Sequence, residues 1–365
     1  MKIFQFIIGK ANKNRPNGVN QVIAGLCKYL SKNKQDIKVV GLASNAINEG
    51  EIVKRDLFKV SVYSRWSKSL YLDLQEKIKW CDVVHLHGVY SFPNIIVSMI
   101  CKKLSVPYVV TLHNGMSPGL SNFKKTIFDF FLQKNHLESA AALHVLAYEE
   151  ISDILKKCNP KKFIYCPNGI DMDDFTFDNI DKSENYNSNE IVTLGYLGRV
   201  DNKKNVTSLI EAINMFSDKD RFHLKIAGPD SKLLQKILNK NPRLSIEWVG
   251  PKYGNEKIEF IKSLDLFVHP SKTDVFSIGA MEVLAAGTPL LITRESKASY
   301  FYDNQSFFMC EASSQGLFIG LNEAITKRTE WSKRIFNGQE LIRNIFNWDT
   351  ASKKMISGYN DIIQK

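Results

Sequence analysis

Through residues 1–170, short apolar runs alternate with segments of helical periodicity. That alternation restricts the chain to an α/β fold in which a mostly parallel sheet is covered by helices. The runs are Ile3 to Ile8, Ile37 to Leu42, Lys59 to Tyr63, Asp82 to Leu86, Tyr108 to Leu112, Ala141 to Ala147 and Phe163 to Cys166. Helical patterns lie between most of them, for example Val19 to Leu30, Asn94 to Leu104 and Phe123 to Leu137. From Asp171 to Glu190 the sequence turns to Asp, Asn and Ser with few apolar residues, the composition of a linker. The alternation then resumes, with strands expected at Ile191, Leu224, Ile246, Leu266, Pro289 and Phe307. A final helical pattern (Ala351, Met355, Ile356, Tyr359, Ile362, Ile363) follows Trp348, with Asn347 placed to cap it. The expected organisation is therefore a domain at 1–170, a linker at 171–190, a second domain at 191–345 and a closing helix at 346–365. With 365 residues, each domain is large enough to bury its own core. Two such halves imply a cleft between them, the usual place for a ligand.

The segment Ser271 to Thr293, SKTDVFSIGAMEVLAAGTPLLIT, carries the most chemistry. Asp274 and Glu282 stand eight residues apart across an expected loop-to-helix junction, between the strand-like LDLFVHP and TPLLIT. They bracket Ser277, Ile278 and Gly279, whose N–H groups fall where a helix begins. Unpaired donors and the helix dipole both favour an anion there, while flanking carboxylates accept hydrogen bonds from sugar hydroxyls. A second segment, IVTLGYLGRVDNKKN, ends an apolar run at Gly198, followed by Arg199 and, five residues on, Lys204. Both cations fall in or just beyond one strand-to-helix loop, at the carboxyl edge of a strand where open α/β sheets bind ligands. A guanidinium fork with a lysine suits an anionic ligand there.

These segments resemble the glutamate-x7-glutamate and glycine-arginine…lysine motifs of the family-4 retaining glycosyltransferases, enzymes of the two-domain GT-B fold. The resemblance covers nearly the full chain, although the first half matches only in pattern. It implies two Rossmann-like domains with parallel sheets facing an interdomain cleft. It also implies that Glu282 holds the donor's ribose, that Asp274, in place of the commoner Glu, touches the transferred sugar, and that Arg199 and Lys204 grip the diphosphate. Phe276 stands at the motif's aromatic position, and the base is expected at the loop of Gly250, Pro251 and Lys252. In the first half, the Asn17-Gly18 turn corresponds to the family's glycine loop and His113, in TLHNG, to its cleft histidine. His85 and His87 at the end of HLHG are weaker candidates, and a core histidine satisfied by backbone is the competing reading for all three.

What the resemblance implies about chemistry is a metal-independent, retaining transfer from a nucleotide-diphosphate sugar, a UDP-sugar being favoured. Front-face attack, with the leaving phosphate oxygen taking the acceptor proton, needs no pair of hydrolase-like carboxylates. No cofactor is expected, since the nucleotide sugar is a substrate. Asp171 and Asp173 spell an Asp-x-Asp triplet, but their place in PNGIDMDDF suits turn and capping roles. A nucleotide-sugar epimerase of the same fold and a non-catalytic partner subunit are the alternatives. A dinucleotide oxidoreductase would require a GxGxxG turn that residues 9–18 do not supply.

Charge narrows the partners. Residues 1–160 carry 22 Lys and Arg against 12 Asp and Glu, a net of +10, whereas the remaining 205 residues carry 27 against 26. A basic first half suits an anionic lipid surface. No zinc-finger, basic-zipper or RNP-like motif points to nucleic acid. The six cysteines show no disulfide or zinc spacing, as in a reducing compartment, and no apolar run reaches the roughly 18 residues that span a bilayer. The expected protein is cytoplasmic, or peripheral at the inner face of the membrane. Its acceptor is expected to be a lipid-linked saccharide of a bacterial surface polysaccharide.

Overall fold

The apolar runs assemble into two separate sheets in the computed structural model, which describes residues 1–11, 18–43, 49–55, 57–113, 132–177, 191–274, 277–296 and 305–364. The chain divides into two units, Met1–Gly169 together with Trp348–Lys365, and Ile170–Asn347. The polar stretch after Ile170 belongs to the second unit as far as Phe177, and 178–190 lie outside the described residues.

In the first unit β1 (Lys2–Ile8), β2 (Asp36–Leu42), β3 (Glu51–Lys54), β4 (Lys59–Tyr63), β5 (Val83–His87), β6 (Tyr108–Thr111), β7 (Ala142–Val145) and β8 (Phe163–Tyr165) form one sheet. Their order is β3-β4-β2-β1-β5-β6-β7-β8. Every pair is parallel except the edge pair β3–β4. Strands β5, β6 and β7 are buried along their whole length, so each presents a continuous apolar run rather than an alternating one. Strand β3 was not expected from the sequence, because this short edge strand alternates half-buried and exposed positions.

Helices Lys68–Trp80 and Phe92–Lys103 start at serines whose hydroxyls accept from the N–H three residues on, Ser67 from Leu70 and Ser91 from Asn94. The last helix, Trp348–Ile363, packs on the helix Gly18–Lys32. A methyl group at Gly25 would sit 2.2 Å from Trp348 Nε1, and one at Gly358 would sit 2.8 Å from Ile164. Trp348 is thus a buried packing residue that Gly25 makes room for, while Gly358 lets the same helix approach Ile164. Asn347 donates from Nδ2 to the carbonyl of Arg343 at the end of the preceding helix (2.8 Å).

The second unit holds β9 (Val192–Leu197), β10 (Phe222–Ala227), β11 (Ser245–Gly250), β12 (Leu266–His269), β13 (Leu290–Thr293) and β14 (Phe308–Cys310). They are ordered β11-β10-β9-β12-β13-β14 and all parallel. Counted from β9, this is the 3-2-1-4-5-6 order of a doubly wound sheet, and its direction of winding reverses between β9 and β12. Tyr196, Phe222, Leu266, Val268 and Trp331 are among the residues that fill its core.

Candidate active site

The reversal between β9 and β12 is the point where doubly wound sheets bind ligands, outside the carboxyl ends of the strands, and the loops that follow these two strands carry the motif residues. Gly198, directly after β9, has φ +149° and its N–H donates to Ala227 O at 2.9 Å. A side chain at Gly228, at the end of the neighbouring strand, would meet Gly198 O at 2.0 Å, so the two loops touch backbone to backbone. Tyr196 donates its hydroxyl to the carbonyl of Arg199 at 2.6 Å and so fixes the turn. The Arg199 side chain reaches outward, 69% accessible, with Asp201 3.9 Å away.

Lys204 points the other way. Asp201 Oδ1 accepts from the N–H groups of Lys203 and Lys204 (2.9 and 3.0 Å), curling the loop back toward β12. Asn205 then adopts a left-handed conformation (φ +60°), and its Nδ2 donates to Pro270 O (3.0 Å) and Ala312 O (2.8 Å). Lys272 N donates to Lys203 O at 2.8 Å. With the two loops tied in this way, Lys204 Nζ lies 2.7 Å from Asp274 Oδ2. His269 Nε2 approaches the same oxygen to 3.3 Å, without the alignment of a full hydrogen bond. Burial alone would raise the Asp274 carboxyl, but His269 and Lys204 overcome it and hold the group well below the usual carboxylate range. Asp274 is an ionised acid with a resident lysine.

Ser277 caps the helix Ile278–Ala286, its hydroxyl accepting from Ala280 N at 3.2 Å. Among the described residues, a methyl group at Gly279 would meet nothing nearer than Ser277 Oγ at 3.8 Å. Glu282, one turn further on, receives Lys257 Nζ at 2.5 Å on Oε1. Gly250 ends β11 at φ +73° with no described residue within 4 Å of where a side chain would start; Pro251 is exposed and Lys252 half-buried next to it. Asp274, Ser277, Ile278, Gly279 and Glu282 thus follow β12, Arg199 and Lys204 follow β9, and Gly250 to Lys252 follow β11, all at the carboxyl edge of one sheet. Phe276 lies outside the described residues. His269, Asn205 and Lys257 were not singled out from the sequence. His269 ends an apolar run and Lys257 has the pattern of a surface lysine, so neither carried a signal.

In the first unit Gly18 opens the helix Gly18–Lys32 with no described residue within 4 Å of where a side chain would start, and Asn17 lies outside the described residues. His113 follows β6 with φ +46°, a strained backbone for a histidine. Its Nε2 is 3.1 Å from His87 Nδ1, whose ring reaches Gln5 Oε1 through Nε2 at 2.7 Å. His85 belongs to a second chain with fixed proton positions. The carbonyl of Cys166 can only accept, so His144 Nε2 donates to it (2.7 Å). His144 Nδ1 therefore accepts from Thr111 Oγ1 (2.7 Å), which accepts from His85 Nε2 (2.6 Å), and His85 Nδ1 accepts the Tyr359 hydroxyl (2.6 Å). Burial, then neighbouring imidazoles, push His85, His87 and His113 down, the last to about 3; burial lowers His144 to about 4. His85 is wholly used by structure, while His87 stands behind His113.

Asp171 caps the single turn Met172–Asp174, accepting from Asp173 N at 3.4 Å. Among the described residues, no group of three or more His, Cys, Asp or Glu is placed to hold a metal ion. None of their helices is long and apolar enough to cross a membrane.

Comparison with known proteins identifies the family and the fold. Residues 176–330 match the family described as Glycosyl transferases group 1, and residues 16–174 match Glycosyltransferase Family 4. An uncharacterised glycosyltransferase of Methanocaldococcus jannaschii is 30% identical over 217 residues, 58% of this chain and just over half (56%) of that protein. The alpha-monoglucosyldiacylglycerol synthase of Acholeplasma laidlawii is 23% identical over 279 residues, 70% of this chain and 67% of its own. The capsular polysaccharide biosynthesis glycosyltransferase CapM of Staphylococcus aureus is 23% identical over 209 residues, 54% of each chain. Among solved structures, the sucrose-phosphate synthase of Thermosynechococcus elongatus superposes over 100% of both chains, with a TM-score of 0.78 at 13% identity. HepE of Anabaena in complex with UDP-glucose covers 99% of this chain and 100% of its own, with a TM-score of 0.76 at 14% identity. The fold is GT-B, two α/β domains with parallel sheets.

Proposed function

Since this chain belongs to the group 1 and family 4 glycosyltransferases, we propose that it moves a sugar, with retention of configuration, from a nucleotide-diphosphate sugar to a saccharide acceptor. The observation that carries the reading is the placement of Arg199, Lys204, Asp274 and the Ser277 helix start at the winding reversal of one sheet. A diphosphate there would meet two cations and the N–H groups of Ile278 and Gly279. As the bond between sugar C1 and the diphosphate oxygen breaks, these groups take up the growing negative charge. The acceptor oxygen bonds C1 on the same face and its proton passes to the leaving diphosphate. Glu282 holds the ribose and Asp274 a hydroxyl of the sugar.

A UDP-sugar is the favoured donor, as HepE was solved with UDP-glucose. The first unit supplies the acceptor site, with Gly18 letting the backbone approach the diphosphate or the acceptor and His113 close to the transferred sugar. A lipid-linked saccharide of a surface polysaccharide suits the relatives whose names specify a diacylglycerol product and a capsule. It also suits the basic first half, where the exposed Phe92 and Met99 share a helix with the exposed Lys102 and Lys103 and would rest on an anionic bilayer. Arg199 and Lys204 make a divalent cation unnecessary for the leaving group. Assaying UDP-, GDP- and ADP-sugars for transfer and slow hydrolysis, each with and without excess EDTA, tests the reading. One donor class should be consumed, equally in both conditions. Consumption of none, or a loss in EDTA that Mg²⁺ or Mn²⁺ restores, would overturn it.

A further inference from the structure

Lys257 belongs to none of the motifs, yet it is bound into the site. The helix Gly254–Lys262 buries Ile258, Phe260 and Ile261, and Lys257 shares the side of Phe260 and Ile261 rather than the solvent face. Its side chain is only 14% accessible and that of Glu282 12%, unusual for either residue type unless paired. The spacing is held from both ends: Thr288, just past the helix of Glu282, donates its hydroxyl to Ile261 O at 2.8 Å, and the two helices pack together. Lys257 Nζ takes Oε1 of Glu282. Beside this pair, among the described residues, a side chain at Gly254 would meet nothing within 4 Å and one at Gly279 only Ser277 Oγ at 3.8 Å. Gly279 lies three residues before Glu282, on the same face of its helix.

We propose that Lys257 is a positioning residue for the donor nucleotide: by occupying Oε1 it fixes the carboxylate of Glu282 and turns Oε2 to the ribose hydroxyls. The inference rests on the reading of Glu282 as the ribose-binding residue. Without the ammonium, Glu282 is a half-buried carboxylate that must turn toward water or find another donor, and its orientation toward the sugar is lost. Lys257 touches neither the sugar nor the leaving oxygen, so its effect falls on binding rather than on the chemical step.

The test couples Lys257 to the hydroxyls themselves. Whichever of UDP, GDP and ADP binds best is compared by calorimetry with its 2′,3′-dideoxy form, in the parent, Lys257→Met, Lys257→Arg and Glu282→Gln. The parent should prefer the intact ribose by about 10-fold or more, the scale of a hydrogen bond to a charged group. Lys257→Met should bring that ratio close to one by weakening only the intact nucleotide, with turnover at saturating donor within about twofold. Lys257→Arg should recover part of the preference. A merely structural lysine would weaken both nucleotides alike and leave the ratio at the parent value, which overturns the proposal. If Glu282→Gln also keeps the parent ratio, the ribose assignment falls with it; if Glu282→Gln loses the ratio and Lys257→Met keeps it, only the role of Lys257 falls. Should Lys257→Met fail to fold, Lys257→Gln offers the same comparison with a neutral side chain.

Discussion

Lys204 and Asp274 are 70 residues apart in the sequence and 2.7 Å apart in space. The lysine read as a diphosphate ligand therefore already has an anionic partner. A ligand phosphate joins or displaces Asp274 rather than meeting a bare ammonium, which lowers the desolvation cost of holding the cation ready.

The two cations should consequently separate in mutagenesis. Arg199→Ala should slow turnover by about 100-fold, the scale of one lost charge-stabilising donor, and leave thermal unfolding unchanged because the side chain is exposed. Lys204→Ala should slow turnover comparably and also destabilise by about 1–3 kcal/mol, since Asp274 is left half-buried without its lysine. The folded Asp274 carboxyl is depressed, so the stabilisation is complete above the ordinary carboxylate value and disappears as pH falls through the folded value. The stability gap between parent and Lys204→Ala should accordingly narrow in strong acid. Parental rates in both variants at saturating donor would remove the diphosphate assignment.

Acid should loosen the first unit well before it titrates Asp274. Burial holds His144 and His136 at about 4, against an ordinary 6.5. Between those values the unfolded chain binds protons that the folded one refuses, so stability rises with pH across that window and falls on acidification. The slope is about 1.4 kcal/mol per pH unit for each such histidine. Urea midpoints at pH 7, 6 and 5 should drop in sequence, and His144→Gln should flatten the drop. Identical midpoints throughout would contradict the neutral chain from Tyr359 to Cys166.

Docking on lipid should be electrostatic. The protein should cosediment with vesicles containing anionic lipid and leave them as salt rises, the Debye length falling from about 10 Å at 0.1 M to about 3 Å at 1 M. Replacing Lys102, Lys103, Lys124 and Lys125 by Gln should weaken sedimentation and spare transfer to a soluble acceptor analogue; Lys124 and Lys125 lie outside the described residues. Equal binding to neutral vesicles would point instead to an apolar contact through side chains such as Phe92 and Met99.

Much of this architecture could be read from the sequence because a strand buried on both faces leaves an unmistakable run. Val83 to His87 and Leu266 to His269 could hardly be anything else. Strand β3 escaped because Ile52 and Val53 are too few to mark a half-exposed edge. In the second unit, residues joined by one loop, such as Arg199 and Lys204 or Asp274 and Glu282, were visible through their spacing. Pairings made by packing were not. Nothing near Lys257 announces Glu282, and the left-handed turn at Asn205 that brings Lys204 to Asp274 depends on carbonyls of Pro270 and Ala312. Histidines 85 and 144 show the converse limit: a histidine in an apolar run reads alike whether it serves a ligand or a hydroxyl of the last helix.

That last helix bears on biosynthesis. Because Trp348–Lys365 completes the unit begun at Met1, the whole of Ile170–Asn347 leaves the ribosome before the first sheet acquires the Tyr359 hydroxyl and the Trp348 indole. Until then His85 has an unanswered nitrogen and the groove beside Gly25 stands empty. The second unit, one uninterrupted stretch of chain, can mature during translation, while the unit of Met1–Gly169 waits for Trp348–Lys365 to complete it.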